Sequence, residues 1–232
     1  MPTLPPPPVS PPAPDTAAPP ARRFPDDTWE AAAQRRGARV IVGIDEVGRG
    51  PWAGPVVACA ARVIGPVPER LDDSKKLSAK RREAMRPLLV QCCQHAYGEA
   101  TPQEIDALNI RRATHLAMRR AVLAFEAEHA VTVDHFLIDG RDRPEFLTEA
   151  RWAGRGHDLI VRGDSASLSI AAASVLAKTW RDRGMMALAQ QHPGYGWERN
   201  MGYGTREHRD GLKCHGVTPH HRQSFRPIHN ML

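Results

Sequence analysis

Three short apolar runs, each ending at an acid, constrain the fold of this 232-residue chain more than any other feature. Residues 39–44 run into Asp45-Glu46, residues 135–138 into Asp139-Gly140, and residues 158–162 into Gly163-Asp164. Runs this short, rich in Val, Ile and Leu and bounded by Gly, read as strands of a sheet. Further strands are expected over residues 55–63 and 96–100. Helical segments lie between them. Ser78 is a candidate N-cap for a helix reaching about residue 90. Ile110, Ala113, Ala117, Ala121 and Ala124 recur at helical steps, which predicts a helix over about 110–129. A longer one is predicted over about 167–190, stopping before Pro193-Gly194. Strands alternating with helices imply an α/β fold. Ligand sites in open α/β sheets gather at strand ends, so acids from three strand ends are expected at one edge.

The first of these ends carries the most chemistry. Adjacent Asp45 and Glu46 are poor packing residues but good ligands for a hard cation. Gly48-Arg49-Gly50 follows at once, a turn able to bring bare backbone N–H groups and a guanidinium close to a nucleic-acid backbone. Metal carboxylates beside such a loop point to phosphodiester chemistry. Residues 43–50 come near a P-loop, but Arg49 and Gly50 stand where Lys and a hydroxyl are needed. Asp45 and Glu46 would also place like charge in a phosphate cradle. Gly48, Gly50 and Gly54 miss the dinucleotide spacing by one residue. No Gly-x-Ser-x-Gly nucleophile motif is present.

Composition narrows the setting. Eleven of the 21 prolines fall in the first 25 residues, so residues 1–37 are expected to form a disordered, proline-rich tail with little to bury. Residues 38–195 are expected to form the core and 196–232 a helical extension that contacts substrate. The net charge of +6 and pI of about 9.5 favour a polyanionic partner. Cys59, Cys92, Cys93 and Cys214 form no C-x-x-C pair, which fits a reducing, cytoplasmic setting. The eleven histidines show no zinc-site spacing. No apolar run is long enough to span a membrane, and the N-terminus lacks a signal-peptide core.

The motifs taken together resemble type 2 ribonuclease H, ribonuclease HII. The resemblance runs from about Ala38 onward. It rests on the stretches 43–51, Asp73-Ser74-Lys75-Lys76-Leu77-Ser78, 104–110, 137–140, Gly163-Asp164-Ser165, 172–178, Gly202-Tyr203 and 220–225, in the family's order. It implies a ribonuclease H-like mixed sheet of about five strands flanked by helices, with a C-terminal helical extension. It implies Asp45, Glu46, Asp139 and Asp164 as catalytic acids holding two Mg²⁺ or Mn²⁺ ions. All-oxygen ligation suits those ions better than Zn²⁺. It also implies that Gly48, Arg49 and Gly50 recognise the ribose 2′-hydroxyl and that Tyr203 packs on a sugar. Lys75 and Lys76 are expected to hold phosphates. The expected partners are RNA–DNA hybrids and ribonucleotide-containing duplex DNA, acted on by a monomer that incises 5′ of the ribonucleotide in DNA replication and repair.

Other residues read more plainly. Asp72, Asp106 and Asp182 fit surface or capping roles, and no motif selects Asp134 or Asp142. Lys178 fits a phosphate contact or a solvated lysine equally. His220-His221-Arg222 reads as mainly structural or phosphate-facing. Asn200-Met201 stands where the family commonly has His-Lys, which removes a basic contact beside Tyr203. Two alternatives remain: a ribonuclease HIII type, which typically carries Gly-Lys-Gly and a folded N-terminal domain, and a non-catalytic nucleic-acid-binding module on the same scaffold.

Overall fold

Ile41–Val47 forms the middle strand of a five-stranded sheet, and everything near the acids is arranged around it. The computed structural model describes residues 24–231. In chain order the elements are α1 (Thr28–Arg35), β1 (Ile41–Val47), β2 (Val56–Val63), α2 (Ala79–Cys92), β3 (Cys93–Ala100), α3 (Pro102–Leu108) and α4 (Ile110–Glu128). Then come β4 (His135–Asp139), β5 (Gly156–Ile160), α5 (Leu168–Gln191), α6 (Trp197–Asn200), α7 (Arg206–His215) and α8 (Arg226–His229). The strand order is β3-β2-β1-β4-β5. Strand β1 pairs antiparallel with β2 and parallel with β4, so the sheet is mixed as expected. Ile44 lies opposite Ile138, and the next residues along these parallel strands are Asp45 and Asp139. Register alone therefore brings acids from two distant segments side by side.

Helices cover both faces. On one, α4 packs against β2 and β3 over a core that includes Val42, Ile44, Val122, Phe125, Phe136 and Trp152. On the other, α5 crosses β1 and β2, burying Ala171, Ala172, Ala173, Val175 and Leu176. The C-terminal segment shares a further cluster with the loop after β1 and the end of α5, in which Ala53, Met185, Tyr195, Trp197, Leu212 and Ile228 are buried. Among the described residues no helix is long and apolar enough to cross a membrane.

Several boundaries differ from the sequence reading, each for a local reason. Strand β3 begins directly at the end of α2, because Cys93 to Ala100 pairs along the whole of β2. Strand β5 starts earlier and stops at Ile160, since Gly156 pairs with His135 and Arg162 turns left-handed at φ 57°. Helix α3 was not anticipated. Thr101 and Glu104 close a reciprocal capping box at its start.

The largest difference concerns residues 24–37, expected to belong to the tail. Thr28–Arg35 is helical, Ala33 is buried, and Trp29 packs near Ile41, Leu137 and Ile170. The Glu30 carboxylate accepts from Ser167 Oγ at 2.6 Å and Ser169 N at 2.8 Å, at the N-terminus of α5. A negative charge there faces the positive end of the helix dipole. The tail expectation for residues 1–23 lies outside the described residues. Replacing Glu30 by Ala would leave the Ser169 amide and Ser167 hydroxyl without this acceptor, at a cost of about 1–3 kcal/mol. Thermal denaturation should show a lower Tm for Glu30→Ala, with Glu30→Gln closer to wild type because it retains an acceptor.

Candidate active site

The four sequence-selected acids occupy one edge of the sheet. Asp45 and Glu46 lie near the end of β1, Asp139 ends β4, and Asp164 sits on a short 3₁₀ turn after β5. Asp45 is almost fully buried. Its carboxyl is held well above the usual carboxylate range, first by burial, then by Glu46 and Asp139, with Asp164 adding to the effect and the Ser174 hydroxyl opposing it. Glu46 is raised by burial and by Asp139, against the pull of Arg49 and Lys75. Asp164 is pushed up to about 6, by burial first and Asp139 next. The groups thus act on one another, although among the described residues no three acids, histidines or cysteines converge on one point as a closed cage.

Backbone donors fix two of these carboxylates. Asp45 Oδ1 accepts from Glu46 N and Asp139 Oδ1 from Gly163 N, both at 2.7 Å. The second bond ties the end of β4 to the turn carrying Asp164. Cys59 lies opposite Asp45 in the register. Burial pushes its thiol far up, so it stays protonated and is a poor metal ligand. The donor set is therefore oxygen only and rich in negative charge, which suits a hard divalent cation rather than zinc.

The two lysines behave differently. Lys75 is exposed. Burial opposes its charge, but the carboxylates of Asp45, Asp73, Asp164 and Asp139 outweigh this and raise its pKa. Lys76 instead donates to Asp72 Oδ1 at 3.1 Å and to Ser165 Oγ at 2.8 Å, beside Asp164. Asp72, expected in a surface or capping role, is fully buried, and its Oδ1 also accepts from Asp73 N. Asp73, which sequence reasoning did not single out, contacts Asp164 and helps raise its pKa. Lys178 is bound to Asp182 at 2.7 Å.

A second feature borders the acids. Tyr203, 48% exposed, lies against the Gly-Arg-Gly loop although more than 150 residues separate them in sequence. A Cβ on Gly50 would stand 3.3 Å from Tyr203 Cε1. The Arg49 side chain reaches back to Glu46 at 3.2 Å. Gly48 has φ +91°, and a Cβ there would fall 2.2 Å from Arg181 Nε. Only glycine suits both that backbone and that neighbour.

Two buried arginines hold this loop. Arg222 donates to the carbonyls of Gly48 at 2.5 Å, Arg49 at 3.0 Å and Gly54 at 2.8 Å. Arg181 donates to Pro55 at 3.0 Å, Met201 at 3.0 Å and Ala53 at 3.1 Å. Their bonds go to neutral carbonyls, and burial lowers their pKa values to about 9 and about 10 respectively. Arg222 is therefore structural, not phosphate-facing. Arg181 gave no signal in the sequence, where it looks like any helical arginine.

Asn200 also has a backbone task. Its side chain donates to Tyr195 O at 2.8 Å and accepts from Gly202 N at 2.9 Å, shaping the turn that presents Tyr203. Asp106, on α3, accepts from Gln223 N, Ser224 N and Ser224 Oγ, so it ties the loop before α8 to α3 rather than capping a helix.

The ribonuclease HII family model matches residues 42–228, a span that contains every one of these groups. The chain belongs to the ribonuclease HII family. It is 54% identical to ribonuclease HII of Ruegeria pomeroyi over 210 residues, 90% of this chain and 85% of that protein. In fold it is similar to ribonuclease H2 from Pyrococcus horikoshii, with TM-score 0.66, 22% identity, and coverage of 82% of this chain and 96% of the other. Bst-RNase HIII, solved in complex with Mn²⁺, is similar at TM-score 0.62 and 19% identity, covering 86% and 71% of the two chains. Membership makes the protein a ribonuclease H, an enzyme that cleaves RNA in RNA–DNA hybrids. The binding-module alternative falls. So does the HIII alternative, since the family model and the 54% identical relative are both ribonuclease HII.

The raised acids give a pH signature. Asp164 has an unfolded value near 3.8 and a folded value of about 6, so between these pH values the folded state holds more protons. Stability of the metal-free protein should therefore fall as pH rises from about 4 to about 6. Asp164→Asn should flatten that slope and raise the metal-free Tm at pH 7, by roughly 2–4 °C for each 1 kcal/mol relieved. Thermal melts in chelator across this pH range check both outcomes.

Proposed function

We propose that this ribonuclease H is a divalent-metal-dependent endonuclease that also incises 5′ of single ribonucleotides embedded in duplex DNA, leaving 3′-hydroxyl and 5′-phosphate ends. The observation that carries this reading is the adjacency of two features: mutually repelling carboxylates at the sheet edge, and the close approach of the Tyr203 ring to Gly50. Asp45, Glu46, Asp139 and Asp164 would hold Mg²⁺ or Mn²⁺, which relieves their repulsion. Bound divalent ions supply an activated water and stabilise the leaving oxygen of an in-line displacement. Lys75, drawn toward the acids but exposed, contacts the phosphate. Lys76 orients Asp164 through Ser165 and contributes less to binding.

Discrimination falls to the loop. A single ribonucleotide differs from its neighbours chiefly by one hydroxyl, and a contact built around that hydroxyl leaves polar groups unpaired when it is missing. Gly48, Arg49 and Gly50 present backbone to the 2′-hydroxyl, and the ring of Tyr203 packs on the adjoining sugar. The corresponding role is removal of misincorporated ribonucleotides and RNA primers during DNA replication and repair.

A DNA duplex containing one ribonucleotide, incubated with Mg²⁺ or Mn²⁺ beside an all-DNA control, tests the reading. Cleavage should fall 5′ of the ribonucleotide, and an uncut ribonucleotide substrate overturns the proposal. Asp139→Asn should retain the bond to Gly163 N, because an amide oxygen also accepts. It should nonetheless lower kcat by about a hundredfold or more, as metal-supplied stabilisation is worth several kcal/mol. Gly50→Val and Tyr203→Ala should impair cleavage of the single-ribonucleotide duplex while leaving metal affinity near wild type, measured by titration calorimetry. Duplex binding should weaken as salt rises, with Lys75→Ala reducing the slope of log K against log salt by about 1.

A further inference from the structure

Beneath Tyr203 lies a buried chain of side chains that ends on its own backbone carbonyl. His208 and His221 are fully enclosed, with Trp197 beside them. Four contacts link them. Thr218 N–H donates to His221 Nδ1 at 3.0 Å. His221 Nε2 lies 3.0 Å from His208 Nε2. Trp197 Nε1–H donates to His208 Nε2 at 3.1 Å. His208 Nδ1 lies 3.0 Å from Tyr203 O.

The proton positions follow from the two donors that have no alternative. A backbone N–H and an indole N–H can only donate. His221 Nδ1 must therefore be bare, which puts its proton on Nε2. His208 Nε2 must also be bare, which puts its proton on Nδ1. The His221 Nε2–H then shares the His208 Nε2 lone pair with Trp197, and His208 Nδ1–H is aimed at the Tyr203 carbonyl. Burial lowers the pKa of both rings, with His221 at about 4, so both are neutral at pH 7.

We infer that His208, locked in its Nδ1–H tautomer by Trp197 and His221, is a positioning residue that sets the height of Tyr203 against Gly50. The inference rests on the proposed sugar contact at Tyr203 and deepens it. The relay is also connected to the loop that Tyr203 lies against. His221 bridges to Ala53, and the neighbouring Arg222 holds the carbonyls of Gly48 and Arg49. One buried network thus supports both Tyr203 and the Gly48-Arg49-Gly50 loop, the two groups proposed to meet the sugar. The carboxylates lie outside it, so its loss should alter substrate engagement and leave metal binding alone.

The matched variants His208→Leu and His208→Asn test this, since they share a branched shape and only Asn offers an N–H at the δ position. Full-length wild type, both variants and Tyr203→Ala would be compared for Tm, Mn²⁺ affinity, and KM and kcat on the single-ribonucleotide duplex. For His208→Leu the expected change is a rise in KM of about tenfold, the scale of one lost buried hydrogen bond, with Mn²⁺ affinity unchanged. His208→Asn should recover most of that loss. If Leu and Asn variants share one KM, the relay does not position Tyr203. If Tyr203→Ala itself leaves KM and kcat unchanged, the sugar-site reading fails instead. Should His208→Leu show no cooperative melting, ring ¹⁵N spectra of the wild type decide. Nδ1–H on His208 and Nε2–H on His221 support the relay, and the opposite tautomers overturn it.

Discussion

Six backbone carbonyls converge on two buried guanidinium groups, and the Gly-Arg-Gly loop and the turn presenting Tyr203 depend on that arrangement. A guanidinium carries five donors in a fixed fork. Arg222 and Arg181 spend theirs on the loop after β1 and on the turn before Tyr203. Carbonyl oxygens offer only partial charge, so each cation is buried at a cost, which shows in its depressed pKa. What this achieves is rigidity in a segment rich in Gly and Pro that has no regular structure of its own. Losing either side chain would leave buried carbonyls unpaired and the loop unanchored.

The acids pose the opposite problem. They are crowded with like charge, and Asp45 in particular is buried; Arg49 lies by Glu46, and Lys75, though exposed, is drawn toward Asp45 and its neighbours. Local electrostatics disfavour this state, and the hydrophobic layers on either side of the sheet must hold it. That is why the acids sit on the most thoroughly packed elements. The β1–β4 register, not a loop, fixes Asp45 beside Asp139, and the Gly163 amide joins Asp139 to the turn bearing Asp164.

Sequence patterns revealed the acid edge because strand and carboxylate are contiguous there: 39–44 with Asp45, 135–138 with Asp139. The α5 start was equally legible, since Ser167 caps it and a mostly apolar run follows. Contacts made across the chain were not. Nothing local in Gly50 or Tyr203 signals that they touch; the resemblance to a family supplied both residues without their adjacency. Arg181, Arg222 and His208 are buried only because distant segments fold over them, and as isolated residues they resemble solvated ones. Helix α1 was hidden by its neighbours. The prolines before residue 26 masked a short helix whose stability comes from Glu30 meeting the α5 N-terminus, a contact 137 residues away in sequence.

Helix α5 connects the two halves of the site. Ser174 faces Asp45 and bonds Ser74 of the Asp73-Ser74-Lys75-Lys76 segment at 2.9 Å. Seven residues later, two turns along the same face, Arg181 grips the loop carbonyls, and Met185 packs beneath Gly54 and Gly202. At 1.5 Å per residue the step from Ser174 to Arg181 is about 10 Å. The separation between the carboxylates and Tyr203 is thus set by a single continuous helix, anchored at its start by Glu30 and buried over residues 169–177. In the reading proposed here, an enzyme that must cut at a fixed offset from one hydroxyl needs such a ruler. Its discrimination would depend on residues that touch neither metal nor substrate.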